Sequence, residues 1–256
     1  MITIKSAREI ETMESAGKIL ADTLVFVAGR VAPGVSTEDL DQAAEEFIRS
    51  HDGAAPSFKG LYEFPASLCT SINEEIVHGI PSPVRVLENG DIISVDCGVS
   101  LDGLHADSAV TVAVGDVAPE TQRLLDVTQL GLEAGIRAAV VGNHVGDIGH
   151  AVQTVAEAAR FSVVRELVGH GIGASFHEEP QVPNYGKPKR GPRLQVGMTL
   201  AIEPMVNIGG REIRTLDDKW TVVTMDGSLS AHFEHTVVIT AEGPRVLTTA
   251  PAHTPA

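Results

Sequence analysis

Four acidic residues stand inside apolar, strand-forming stretches of this chain, and any fold must find each of them a counter-charge. Asp96 lies in DIISVDCGV, Asp107 in LHADSAVTVAV, Glu203 in MTLAIEPMV and Glu234 in SAHFEHTVVIT. Their β-branched and aromatic neighbours suit a pleated, half-buried surface. A carboxylate buried there alone costs several kcal/mol or takes up a proton. On a strand through Glu234, side chains alternate, so His232, Glu234 and Thr236 share one face and Phe233, His235 and Val237 the other. Each acid needs a basic side chain, a proton or a metal ion.

The surroundings of the acids narrow that choice. Asp96 and Asp107 flank a turn near Leu101–Gly103. A turn centred on Leu101–Asp102 places them directly opposite each other; one centred on Asp102–Gly103 makes them diagonal neighbours. Opposed residues on one face have Cβ atoms roughly 5 Å apart, so the two charges repel unless something cationic lies between. His170 sits between Gly169 and Gly171 in LVGHGIGASFHEEP, where glycines let the backbone approach another group closely. This Gly-rich stretch lacks the G-x-G-x-x-G spacing and the following helix of a nucleotide-binding loop. Pro204, just after Glu203, marks an edge or a bulge.

Two divalent cations would neutralise four carboxylates, and metal pairs lie about 3.5–4 Å apart with a carboxylate able to bridge them. Oxygen-rich ligation with one imidazole suits Mn²⁺, Fe²⁺, Co²⁺ or Zn²⁺ rather than a thiolate zinc site. Such a centre supplies hydroxide at neutral pH and polarises a carbonyl. Amide hydrolysis is the natural reaction. The chain has neither a G-x-S-x-G elbow nor an H-E-x-x-H pair.

The remaining sequence is organised around these strands. Ser6 and Glu9 form a capping box for a helix over residues 6–28, and Ser36 or Thr37 caps a second helix to about Ser50, with Gly53 ending it. Strands follow from about residue 67. Pro119 opens a helix through about Val140, GDIGHAVQTVAEAAR is another, and the chain is strand-like again after Val163. The order helix, helix, strands thus occurs twice. At an offset of 108, Gly34 meets Gly142, Asp39 meets Asp147, Leu40 meets Ile148 and Ala43 meets Ala151. We expect a duplicated α+β unit over residues 1–250, with central antiparallel sheets and a site between the halves. Residues 251–256 read as a disordered tail, and the basic loop 184–193 as solvated surface.

The chain's 256 residues carry a formal net charge of −15, which argues against nucleic-acid binding and attraction to anionic membranes. Two cysteines, Cys69 and Cys97, do not make a disulfide framework. The N-terminus does not read as a signal peptide, and no apolar run reaches the roughly 18 residues of a membrane span. The expected setting is the reduced cytoplasm.

Seven segments together carry a resemblance: NEEIVHGIP, SVDCG, HADSA, GHGIG, FHEEP, MTLAIEPM and HFEHT. The sequence from about residue 4 to 247 resembles the bacterial type I methionine aminopeptidases, which have the pita-bread fold. That resemblance implies a dinuclear centre of Asp96, Asp107, His170, Glu203 and Glu234. It implies Glu203 as general base toward the bridging water or hydroxide, His177 as oxyanion stabiliser and His78 as the group contacting the scissile amide. Phe64, Cys69, Phe176 and Trp220 match the walls of the methionine pocket, where aromatic rings and a sulfur suit a flexible thioether. Leu61 departs from the pattern, standing where the bacterial enzymes often have an aromatic. With 25 residues between His177 and Glu203, the insertion of the type II enzymes has no room.

The resemblance implies removal of the initiator methionine from nascent polypeptides with a small second residue, by a cytoplasmic monomer open to a transient ribosome contact. Two readings compete. An X-Pro peptidase of the same fold, of the aminopeptidase P or prolidase sort, usually carries a large N-terminal domain and lacks an HFEHT-like motif. A catalytically dead pita-bread binding module would have lost metal ligands.

Overall fold

Helix ends are set by local hydrogen bonds. Ser6 caps α1 (Ala7–Ala28): its hydroxyl accepts from Glu9 N while the Glu9 carboxylate accepts from Ser6 N at 2.7 Å. Ser36 and Asp39 make the same box for α2 (Thr37–Arg49). That helix ends at Ser50, so Gly53 stands in the turn beyond it and does not terminate it. Pro119 occupies the first turn of α3 (Pro119–Ala138), where its missing N–H costs nothing. His144 precedes α4 (Val145–Ala158) and donates its N–H to Asp147. The computed structural model describes residues 2–249, and the expected tail at 251–256 lies outside them.

Nine strands form the main sheet: β1 (Ala55–Pro56), β2 (Leu68–Ile72), β3 (Ile92–Leu101), β4 (Leu104–Ala113), β5 (Gly169–Gly171), β6 (Glu178–Val182), β7 (Thr199–Ile202), β8 (Glu234–Thr240) and β9 (Gly243–Val246). The spatial order is β1-β3-β4-β8-β7-β5-β6, with β2 also on β3 and β9 also on β8, and the pairing is antiparallel. Strands of the first half thus meet strands of the second at the β4–β8 seam.

Helix α1 lies on β3 and β4 with α2 against it, and Leu20, Leu24, Leu40, Ile93 and Val95 fill that half of the core. Helices α3 and α4 pack together over the second half, closing on Leu132, Ile148, Leu200, Ile202 and Val237. The duplication extends to the connections. Gly34 N donates to Leu87 O and Gly142 N to Leu194 O; Thr37 N donates to Arg85 O and Val145 N to Pro192 O. Each second partner lies 107 or 108 residues after the first, so the two helix-opening loops are held by the same bonds. Among the described residues no helix is long and apolar enough to cross a membrane.

Candidate metal centre

Hairpin geometry places the first two acids. Asp102 (φ 49°) and Gly103 (φ 77°) both take the left-handed backbone of a two-residue type I′ turn. Leu101 then pairs with Leu104, Gly98 with Asp107 and Asp96 with Ala109. Asp96 and Asp107 are therefore diagonal neighbours on one face, the second of the two registers the sequence allowed. Across the seam Glu234 pairs with Ala109. Asp96, Ala109 and Glu234 thus form one row over three strands, and the small Ala109 side chain leaves the carboxylates room to converge. Thr236 pins this register: its hydroxyl accepts from Asp107 N at 2.9 Å and donates to Asp107 O at 2.8 Å.

Two irregularities bring in Glu203 and Glu234. Both were expected within strands. Strand β7 stops at Ile202, and Glu203–Pro204 form a break before the short strand Met205–Asn207. Strand β8 begins at Glu234, with Phe233 outside regular structure after Ser230–His232. The breaks face each other, since Phe233 N donates to Pro204 O at 3.3 Å. Proline's missing N–H accounts for the interruption at 204.

His170 comes from β5, which is pressed between its neighbours. A Cβ on Gly171 would fall 2.3 Å from the Glu179 carbonyl oxygen. The His170 Nδ1 lies 2.9 Å from Gly171 O, which fixes the proton there and leaves Nε2 bare for a metal. Nε2 stands 3.7 Å from Asp107 Oδ2 and 3.6 Å from Glu203 Oε1. One donor atom each from Asp107, His170 and Glu234 lie within 4.8 Å of one another.

The donors fit a cation. Asp96 Oδ1, Asp107 Oδ1 and Glu234 Oε1 are buried without a hydrogen-bond partner. Among the described residues no lysine or arginine lines the cavity into which they point. Burial pushes the Asp107 carboxyl up to about 8. Burial, reinforced by the neighbouring acids, raises Asp96, Glu203 and Glu234 well above the carboxylate range. Such a cluster is neutralised by protons or by metal. The imidazoles are neutral: burial lowers His170, and burial plus the His170 ring lowers His177 to about 4. His78 falls to about 4 through burial and His177, and His232 to about 3 through burial and His78.

All eleven residues singled out in the sequence border one cavity of about 240 Å³. Asp96, Asp107, His170, Glu203 and Glu234 lie at its polar end. Phe64, Cys69, Phe176 and Trp220 form apolar wall, with Trp220 edge-on to Phe64 at 5.0 Å and to His78 at 6.4 Å. His78 takes a left-handed backbone (φ 61°). His177 packs edge-on against His170 with ring centres 4.4 Å apart.

Tyr62 and His232, to which the sequence assigns no role, also border the cavity. Tyr62, 65% exposed, stacks on His177 with ring centres 5.8 Å apart. Its left-handed backbone (φ 50°) lies in a short irregular turn, which hydrophobic periodicity does not register. Leu61 also lines the cavity, so the residue departing from the aromatic pattern stands beside an aromatic that reaches the site. His232 is buried with both ring nitrogens unpartnered, its Nε2 3.9 Å from Glu234 Oε2. Its place two residues before Glu234 was the available signal.

Residues 11–241 match the metallopeptidase family M24. The chain is 53% identical over 248 residues to a methionine aminopeptidase of Clostridium perfringens, covering 97% of this chain and 99% of that one. It resembles the crystal structure of methionine aminopeptidase from Thermotoga maritima with TM-score 0.96 and 43% identity, over 97% of this chain and 100% of the other. Against the prolidase of Pyrococcus horikoshii the TM-score is 0.78 at 20% identity, over 98% of this chain and 64% of the prolidase, a likeness of fold.

Proposed function

The chain belongs to metallopeptidase family M24, and on that premise we propose that it is a methionine aminopeptidase of pita-bread fold. It removes the N-terminal methionine from peptides and nascent chains whose second residue is small. One observation carries this reading: a metal-ligating cluster and a wall of aromatic rings and a cysteine border the same cavity. A space of about 240 Å³ suits a terminal side chain.

Asp96, Asp107, His170, Glu203 and Glu234 would hold two divalent ions, of Mn, Fe, Co or Zn. When bound, such ions polarise the scissile carbonyl and lower the pKa of water. Glu203 takes up the proton of the attacking water and returns it to the departing amine. His177, neutral at working pH, donates to the oxygen that becomes negative in the tetrahedral transition state. The Tyr62 hydroxyl lies 3.4 Å from His177 Nδ1, within reach to accept from or donate to the ring. His78, held by its left-handed backbone beside Trp220, contacts the scissile amide. Phe64, Cys69, Phe176 and Trp220 enclose the methionine side chain, whose thioether adapts to aromatic surroundings. We read the enzyme as a monomer of the cytoplasm that meets nascent N-termini, with a passing contact to the ribosome.

The X-Pro peptidase reading has only the shared fold behind it, while the methionine aminopeptidase likeness extends over the whole chain in sequence. Chelator-stripped protein with single metals added back tests the choice. Release of methionine from a Met-Ala-Ser peptide, and no cleavage of Ala-Pro-Ala, is the expected result. Cleavage of Ala-Pro-Ala alone would overturn the proposal in favour of the proline-specific peptidases.

A further inference from the structure

The N-terminal segment crosses to the loop that carries His177. Lys5 N donates to Gly197 O at 2.8 Å, which holds the segment in place. From there the Lys5 ammonium lies 2.5 Å from Glu178 Oε2 and donates to Thr3 Oγ1, and the Thr3 hydroxyl also donates to Glu178. The other Glu178 oxygen accepts from Ser175 N at 3.2 Å. The side chains of Lys5 and Glu178 are only 5% and 11% exposed.

The position of this ion pair gives it a consequence. Glu178 opens β6, directly after Phe176 and His177, and pairs across the strands with Gly171, next to His170. It is fastened at both carboxylate oxygens: to Ser175 just before those two residues and to the distant N-terminal segment. The backbone carrying His177 is thereby spanned by one bracket. Burial alone would raise the Glu178 carboxyl, yet the bonds from Lys5, Thr3 and Ser175 outweigh it and hold it ionised. Removing the ammonium leaves a largely shielded carboxylate with no cation, and a shift of the loop would hydrate it.

We propose that Lys5 is a positioning residue for the reaction: acting through Glu178, it holds the loop Gly173–His177 so that His177 and Phe176 meet the substrate. The proposal rests on the aminopeptidase reading, which supplies the role of His177. A misplacement on the order of 1 Å at a catalytic group costs about 10²-fold in rate.

The test is a double-mutant cycle on the metal-loaded, full-length enzyme with Lys5→Met, Glu178→Gln and both together, using Met-Ala-Ser. Each single change lowers kcat about tenfold to hundredfold, with KM within about twofold of wild type. The double variant loses no more than the worse single, because both act through one contact. Lys5→Arg, which keeps the charge, recovers most of kcat. Thr3→Val, the mildest change, gives a smaller loss of the same kind if Lys5→Met folds poorly. Losses that multiply in the double variant, or kcat unchanged in Lys5→Met, overturn the proposal. A second readout does not need activity: the His177 imidazole NMR signals should shift or broaden in Lys5→Met while those of the distant His51 stay put. If the wild type fails to release methionine, the functional reading falls and this signal alone decides whether the loop is held by Lys5. An unmoved His177 signal counts against it.

Discussion

At the scale of single residues, the site follows from placing charge where solvent cannot reach it. Asp96, Asp107 and Glu234 each keep a buried oxygen without a partner, a cost retained only if a cation offsets it. That logic was legible in the sequence because each acid interrupts an apolar run. Tyr62 was not legible: it owes its place over His177 to an irregular turn with two left-handed residues, Tyr62 and Glu63. His232 was half legible, since alternation put it on the face of Glu234 but gave no reason to expect both its nitrogens to lack partners. His177→Ala should leave the fold intact, with an unchanged circular dichroism spectrum. It should lower kcat on Met-Ala-Ser about 10²–10³-fold, the usual cost of removing one oxyanion donor. Wild-type kcat in that variant would remove His177 from the mechanism.

At the scale of elements, the capping boxes predict unequal costs at equivalent positions. Among the described residues Asp39 bonds only within its own cap, whereas Asp147 caps α4 through His144 N and also accepts from Lys189 N at 3.0 Å, tying down the basic loop. Asp39→Ala should lower the midpoint of a urea melt, and Asp147→Ala should lower it measurably more. Equal losses would mean the loop contact adds nothing. Close packing makes a second prediction. A Cβ at Gly171 meets the Glu179 carbonyl at 2.3 Å, so Gly171→Ala must part β5 from β6. It should destabilise the fold by about 1–3 kcal/mol, as overpacking does, and weaken metal binding through His170. The helices were read from sequence to within about two residues at most ends because caps and periodicity are local signals. The break after Glu203 was legible in Pro204; the one at Phe233 was not, because no local signal marks it and it lies where Phe233 N meets Pro204 O across the fold. The hairpin register was open in sequence between two turns, and the left-handed Asp102–Gly103 pair decides it.

At the scale of the whole molecule, two like halves bring their strands together at one seam, and the acids gather there. Folding therefore assembles a charge cluster that the unfolded chain does not have, and stability becomes linked to metal and to protons. Metal that binds only the folded chain raises its melting temperature with concentration. Protons compete for the same oxygens, and burial raises the Asp107 carboxyl to about 8. Without metal the folded chain holds protons that the unfolded chain has released. Below about pH 6.5 the buried imidazoles, neutral in the fold and charged in the unfolded chain, work in the opposite direction. Above it the carboxylates dominate, and stability falls as pH rises toward 8, the sign required when the native state binds more protons. Added metal should cancel this decline, and apparent metal affinity should weaken as pH is lowered. Thermal melts of stripped and metal-loaded protein between about pH 7 and 8, above the ordinary imidazole range, check both signs. A stripped protein that grows more stable over this range would contradict them. If the buried acids hold cations, the metal content of the folded chain reports it. Stripped chain equilibrated with excess Mn²⁺, then freed of unbound metal and analysed by mass spectrometry, should retain two ions per chain. Asp107→Asn, still folded, should retain fewer. A wild-type chain that retains no metal, or a variant that retains as much as the wild type, would show that these acids do not hold it.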